Sequence, residues 1–201
     1  MPSIYQLKPR FQALLRPSVQ RLHARGVTAN QVTVAAAAVS LLLGLLLAWR
    51  PDANALFLLV PLWMLMRMAL NAADGMLARE FGQQSTLGAY LNELCDVIAD
   101  AALCLPFALL AGVSPSLVIL VVLAAVISEY AGAMGPLVGA SRRYDGPMGK
   151  SDRAFAFGVL GAGVGVGWLA ASWINGLLAV MLLLSLYTLY NRVRHGIAET
   201  R

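Results

Sequence analysis

Apolar residues run along this chain in six long stretches separated by short polar breaks. About 20 helical residues cross a bilayer, and residues 31–49, 53–81, 86–111, 116–139, 152–171 and 174–195 each provide a span near that length. The second is apolar through Leu70 and is extended as helix to Phe81. The breaks carry turn and cap chemistry: Thr28-Ala29-Asn30, Arg50-Pro51-Asp52, Gly82–Ser85, Gly112–Pro115 and Ser141–Ser151. Ahead of the first span, residues 3–24 set Leu7, Phe11, Leu14, Leu15, Val19 and Leu22 against Lys8, Arg10, Arg16 and Arg21. That is the pattern of a helix lying in a membrane interface. It lacks the short apolar core and small-residue cleavage site of a secretory signal. The expected fold is therefore all-α and integral to the membrane: six transmembrane helices preceded by an N-terminal amphipathic interfacial helix, with residues 1–201 forming one domain.

Composition narrows the class. Hydrophobic types make up 59% of the chain and charged types 12%, with a mean hydropathy of +0.71. A soluble domain carries roughly 25% charged residues, so a soluble enzyme, a nucleic-acid-binding domain and a disordered protein are all excluded. The net charge of +5 suggests nucleic acid only until the charges are placed. Thirteen Lys/Arg fall on the side of the termini, Arg50 alone on the other, and Arg67 inside a span. The positive-inside rule then puts both termini in the cytoplasm. Trp49, Trp168 and Trp173 fall at outer ends, where an aromatic belt belongs. Cys95 and Cys104 sit in one apolar helical stretch, too far apart to be bridged, and read as small hydrophobes. The fifth span carries Gly158, Gly161, Gly163, Gly165 and Gly167, which suits close helix packing within the bundle or a dimer seam.

Intramembrane charge is costly and marks function. Of ten acids, five (Asp74, Glu93, Asp96, Asp100 and Glu129) lie in or at the ends of apolar spans, with Asn71 and Asn92 beside them. Asn71, Asp74 and Ala78 share one helical face, and Asn92, Asp96 and Asp100 share another. At about 1.5 Å per residue, Asn71 and Asp96 lie at matched depth, about 15 Å back from the turn joining two antiparallel helices. The oxygen-rich result suits a hard cation, Mg²⁺ or Mn²⁺. Gly75 and Ala78 let a ligand approach the backbone, and Arg79 at the mouth suits a phosphate. The chemistry this arrangement suggests is displacement at phosphorus, with a carboxylate taking a proton from an attacking hydroxyl. A buried polar network that orders the helices, or an ion pathway, reads from the same spacing.

These residues resemble the signature of the CDP-alcohol phosphotransferases, D-x2-D-G-x2-A-R-x8-G-x3-D-x3-D. The chain reads Asn71-x2-Asp74-Gly75-x2-Ala78-Arg79-x8-Gly88-x3-Asn92-x3-Asp96. Every gap matches, and the six-span layout extends the likeness over nearly the whole chain. The resemblance implies transfer of a substituted phosphate from a CDP-linked lipid such as CDP-diacylglycerol to a hydroxyl acceptor, free or phosphorylated, with release of CMP. It implies Asp74 as a metal ligand, Asp96 as a ligand and base, and Gly75, Ala78, Arg79 and Gly88, with Asp74, around the nucleotide. It also implies a homodimer in a lipid bilayer, here a bacterial inner membrane. The departures are Asn71 and Asn92, which replace two carboxylates by uncharged amides. Three outcomes fit: a single or weaker metal site, compensation by Glu93 or Asp100, or a relative that binds CDP-lipid or partner proteins without turnover. A small transporter is the third reading, but it gives no reason for Gly75, Ala78 and Arg79 at these spacings.

Lys150 and Arg153, with Arg142 and Arg143, stand at the cytoplasmic start of the fifth span. They suit an acceptor phosphate at a helix N-terminus, or equally lipid headgroups. Glu129 sits mid-span and calls for a cation, supplied by Arg67 or Arg153. His23 and His195 are assigned no chemistry.

Overall fold

The computed structural model describes residues 7–200, with side chains described from Phe11 onward. Residues 3–6, the side chains of Lys8 and Arg10, and Arg201 therefore lie outside the described residues. Every regular element among those described is helical. Seven α-helices follow in chain order: α1 Leu7–Ala24, α2 Ala29–Trp49, α3 Leu59–Glu80, α4 Thr86–Cys104, α5 Pro115–Ala133, α6 Lys150–Val166 and α7 Ala171–Glu199. Short 3₁₀ segments at Asn54–Leu58, Leu105–Leu109 and Gly135–Val138 interrupt the path.

Local chemistry explains the boundaries. At the start of α2 the Gln31 N–H donates to Thr28 Oγ1 at 3.2 Å, and the Thr28 N–H donates to Gln31 Oε1 at 3.0 Å. This reciprocal box satisfies two otherwise orphaned donors. Ser85 accepts from the Gly88 N–H at 2.9 Å and so opens α4. Pro106 has no N–H to continue the ladder, and the chain passes from α-helix to 3₁₀ at Leu105. The Gly149 N–H donates to Asp152 at the start of α6, and Gly167 ends that helix in the left-handed conformation at φ 77°.

Four helical stretches are long and apolar enough to cross a membrane: Ala29–Trp49, Asn54–Glu80, Pro115–Ala133 and Ala171–Glu199. They coincide with the first, second, fourth and sixth stretches of the sequence pattern. Of the remaining two, α4 carries three acids in 19 residues, and α6 is 17 residues long with charge at its start. Leu42, Leu45, Leu62, Leu65 and Leu183 point outward and more than half exposed. An apolar exterior of this kind suits lipid, where contacts between helices rest on close packing.

The chain forms two compact units. The first comprises the described residues through Leu42 with Trp63–Ala99. Its core joins Val19 of α1, Ala29 and Val32 of α2, and Ala73, Met76 and Leu77 of α3. Arg16 of α1 forks onto Glu80 of α3, at 2.8 and 3.2 Å, and His23 lies against Phe81 with ring centres 4.3 Å apart.

The second unit comprises Leu43–Leu62 and the described residues from Asp100 onward. Phe57, Phe107 and Phe157 form an edge-to-face chain at 5.1 and 5.3 Å. The glycine stripe of α6 is used inside this unit: a Cβ on Gly161 would stand 2.9 Å from the Phe57 carbonyl oxygen and the Val60 Cβ. Gly165 meets Leu58 as closely. This is the packing reading of those glycines, accounted for within one chain.

Candidate active site

Within the first unit, α2, α3 and α4 contribute one polar cluster. The face of α3 carries Arg67, Asn71 and Asp74 at intervals of four and three residues, so the three side chains stack along one side. Asp96 comes from α4. Asn71 Nδ2 donates to Asp96 Oδ1 at 3.4 Å, and Arg67 Nη2 lies 3.7 Å from the same oxygen. The matched depth read from the sequence is thus realised in a direct contact. Asp74 is buried, 5% exposed, and its Oδ2 accepts from the Thr33 hydroxyl of α2 at 2.7 Å. The same hydroxyl lies 3.1 Å from the Ala29 carbonyl oxygen, so its one proton is shared between the two acceptors, the closer being Asp74.

The remaining motif residues have distinct surroundings. Arg79 is exposed in the last turn of α3. Its guanidinium folds back over Gly75, where a Cβ would sit 2.9 Å from Nη2. A glycine four residues earlier is what leaves that position open. Gly88 faces Asn30, whose Oδ1 would stand 2.8 Å from a Cβ there. Ala78 packs on the apolar core. Small size at 78 and 88 therefore already serves helix approach. Asn92 is exposed on α4, one turn before Asp96.

Two residues of this cluster escaped the sequence reading. Thr33 gave no signal, because nothing in an apolar helix announces which hydroxyl meets a distant acid. Arg67 did, through its i, i+4, i+7 spacing with Asn71 and Asp74.

The second unit holds Asp100 and the basic residues. Arg153 is 4% exposed. It donates to Glu129 at 2.8 Å and to the Met148 carbonyl at 3.0 Å, and lies 3.8 Å from Asp100. Arg192, 2% exposed, reaches Glu129 Oε2 at 3.2 Å and donates to the Ser128 carbonyl. Arg153, one of the two cations expected for Glu129, meets it, and Arg192 is a further cation there that the sequence pattern does not single out. Arg143 forks onto Asp145 at 2.8 and 3.0 Å and also donates to Glu199. Arg142 stacks over the Tyr144 ring at 5.0 Å. Lys150 opens α6.

His195 Nδ1 lies 3.0 Å from Asp145 Oδ1, so this loop is fastened to α7. The Arg143 guanidinium, more than the His195 contact, holds the Asp145 carboxyl below the usual carboxylate range, against some opposing desolvation. A depressed folded-state value stabilises above the unfolded value of about 3.9 and loses that contribution as pH falls through the folded value. Thermal midpoints in detergent are therefore expected to hold steady from about pH 5 to 8 with respect to this group. They should fall in more acidic buffer, and Asp145→Asn should flatten that acid limb.

The CDP-alcohol phosphatidyltransferase family matches residues 26–190. The chain belongs to that family. Inner membrane protein YnbA of Escherichia coli (strain K12) is 48% identical over 192 residues, covering 96% of this chain and 95% of that protein. The crystal structure of phosphatidylinositol phosphate synthase (PgsA1) of Mycobacterium tuberculosis, in complex with manganese and citrate, superposes with a TM-score of 0.71 over 90% of this chain and 88% of that one. At 19% identity, that likeness is one of fold. For a CDP-alcohol phosphatidyltransferase, the polar cluster on α2, α3 and α4 is the part of the chain that bears the signature residues. Its donors are oxygens, which fit a hard divalent cation. No group of three or more His, Cys, Asp or Glu converges among the described residues.

Proposed function

We propose that the chain is a membrane phosphatidyl transferase. It moves the phosphatidyl group from CDP-diacylglycerol to a hydroxyl acceptor, free or phosphorylated, and releases CMP. The observation that carries this reading is the contact of Asn71 with Asp96, with Asp74 on the same face of α3, in a chain of this family.

In this reading a new P–O bond forms between the acceptor oxygen and the phosphatidyl phosphorus, while the bond to the CMP oxygen breaks. Asp96 takes the acceptor proton. Arg79, held over Gly75, binds the nucleotide phosphates, with Asp74, Ala78 and Gly88 around the nucleotide. Lys150, Arg142, Arg143 and Arg153 serve acceptor recognition, the last two fixed in orientation by their acids. Asp74, Asp96, Asn71 and Asn92 would hold Mg²⁺ or Mn²⁺, with Asp100 as a further candidate, and the cation when bound polarises the phosphoanhydride. Arg67, at the Asp96 carboxylate, sets the charge of this centre.

The same reading has α4 and α6 crossing the bilayer with the four clearly apolar helices, α1 lying at the interface, and both termini in the cytoplasm. Trp49, Trp168 and Trp173, each at least 70% exposed at a helix end, suit the outer interface. The chain then works as one membrane domain in the bacterial inner membrane, as a homodimer.

Asn71 and Asn92 favour one alternative, a relative that binds CDP-lipid or a partner protein without turnover. The deciding experiment incubates purified protein in detergent with Mg²⁺ or Mn²⁺, CDP-diacylglycerol and a panel of polyols and phosphorylated polyols. Acceptor-dependent CMP release is the expected result. Saturable CDP-lipid binding with no CMP from any acceptor establishes the alternative.

A further inference from the structure

Arg67 is a guanidinium in an apolar run of α3, 4% exposed, and a charge so placed requires a partner. One partner is Asp96, one of the two carboxylates of the candidate metal centre, and the oxygen Arg67 approaches is the one that Asn71 Nδ2 also approaches. Asp74, Asp96, Asn71, Asn92 and Arg67 together carry a single net negative charge. We infer that Arg67 is a built-in counter-charge that limits the centre to one divalent cation and weakens its hold on that cation. This rests on the function proposed above and deepens it.

The argument is electrostatic. A second divalent ion would add two positive charges beside a buried guanidinium, at a centre where Asn71 and Asn92 stand in place of carboxylates and Asp100 already lies 3.8 Å from the Arg153 guanidinium. Screening by bulk solvent is weakest for buried groups, and Arg67 and Asp74 are both buried, so the repulsion is damped less than at a surface. Amide oxygens at Asn71 and Asn92 can complete a coordination shell but contribute no charge. Arg67 is thus a positioning residue: it orients Asp96 and sets the field at the cation, and it need not touch substrate.

The test is Mn²⁺ binding to the purified full-length protein, followed by the electron paramagnetic resonance signal of free Mn²⁺ and so independent of turnover. The wild-type protein is expected to take up one Mn²⁺ per chain. Arg67→Met should bind Mn²⁺ at least about tenfold more tightly, because the repelling charge is gone. Arg67→Lys, which keeps the charge, should bind within about threefold of wild type. A structural role alone would not separate Met from Lys in this direction. The double variant Arg67→Met with Asn71→Asp should acquire a second Mn²⁺. Two equivalent Mn²⁺ ions on the wild-type chain overturn the inference whether or not any variant folds. So does unchanged affinity in Arg67→Met. CMP release alongside either result leaves the transferase reading standing, whereas one Arg67-sensitive Mn²⁺ with no CMP release from any acceptor sinks that reading alone. No Mn²⁺ uptake by the wild-type protein overturns both.

Discussion

Asp96→Asn is expected to lower acceptor-dependent CMP release by about 10²–10⁴-fold in kcat, the range lost when a positioned general base is removed. Asparagine is the informative replacement. It keeps the shape of the side chain and an oxygen to face Asn71 and Arg67, while it removes the proton-accepting charge. Asp74→Asn is expected to fall comparably. The Thr33 hydroxyl that now donates to Asp74 Oδ2 can donate equally to an amide oxygen, so α2 and α3 should stay joined. Alanine at either position should abolish release, with an added stability cost at 96, where buried Arg67 loses the oxygen it faces. The measurement is initial rate against CDP-diacylglycerol at saturating Mn²⁺, with the elution profile and helical circular dichroism of each variant unchanged. If both asparagine variants keep more than about a tenth of wild-type kcat, Asp74 and Asp96 do not carry this chemistry.

Much of this centre is legible in sequence because helical periodicity fixes it. Asn71 and Asp74 share a face by spacing alone, and the short turn at Gly82–Ser85 sets how far each helix runs back from it, which is why Asn71 and Asp96 meet. The helix starts at Thr28 and Ser85 and the break at Pro106 are equally local, each written in one side chain. The pairings that escape are those between elements far apart in the chain. Thr33 meets Asp74 across 41 residues, and Arg192 meets Glu129 across 63. Nothing local selects those partners: α7 presents several cations near its end, and only the packing of α5 against α7 decides which one is buried. The glycines of α6 show the intermediate case. Their spacing demands close approach, but the partner surface, the Asn54–Leu58 segment, is set by tertiary structure.

Glu129→Ala is expected to be among the most destabilising single substitutions in the chain, at about 3–5 kcal/mol, the usual cost of removing one partner from a buried ion pair. Glu129 divides its oxygens between Arg153 at 2.8 Å and Arg192 at 3.2 Å, and those two guanidinium groups are 4% and 2% exposed. Without the carboxylate, two cations of like sign remain in a largely dry site. Arg153 retains Asp100 at 3.8 Å and the Met148 carbonyl; Arg192 retains the carbonyls of Ser128 and Asp145. For Arg192 neutral oxygens do not replace a charge, and for Arg153 the Asp100 carboxylate is the more distant of its two acids. Arg192→Met should be milder, since Glu129 still has Arg153. The double variant Glu129→Ala with Arg192→Met should then be more stable than the sum of the single effects by about 0.5–3 kcal/mol, because the second change removes a charge the first has orphaned. Equilibrium unfolding in mixed micelles, titrated with a denaturing detergent, measures all three. An unfolding midpoint for Glu129→Ala equal to wild type would mean that water or lipid headgroups already neutralise the two arginines, and that the acid does not hold α5, α6 and α7 together.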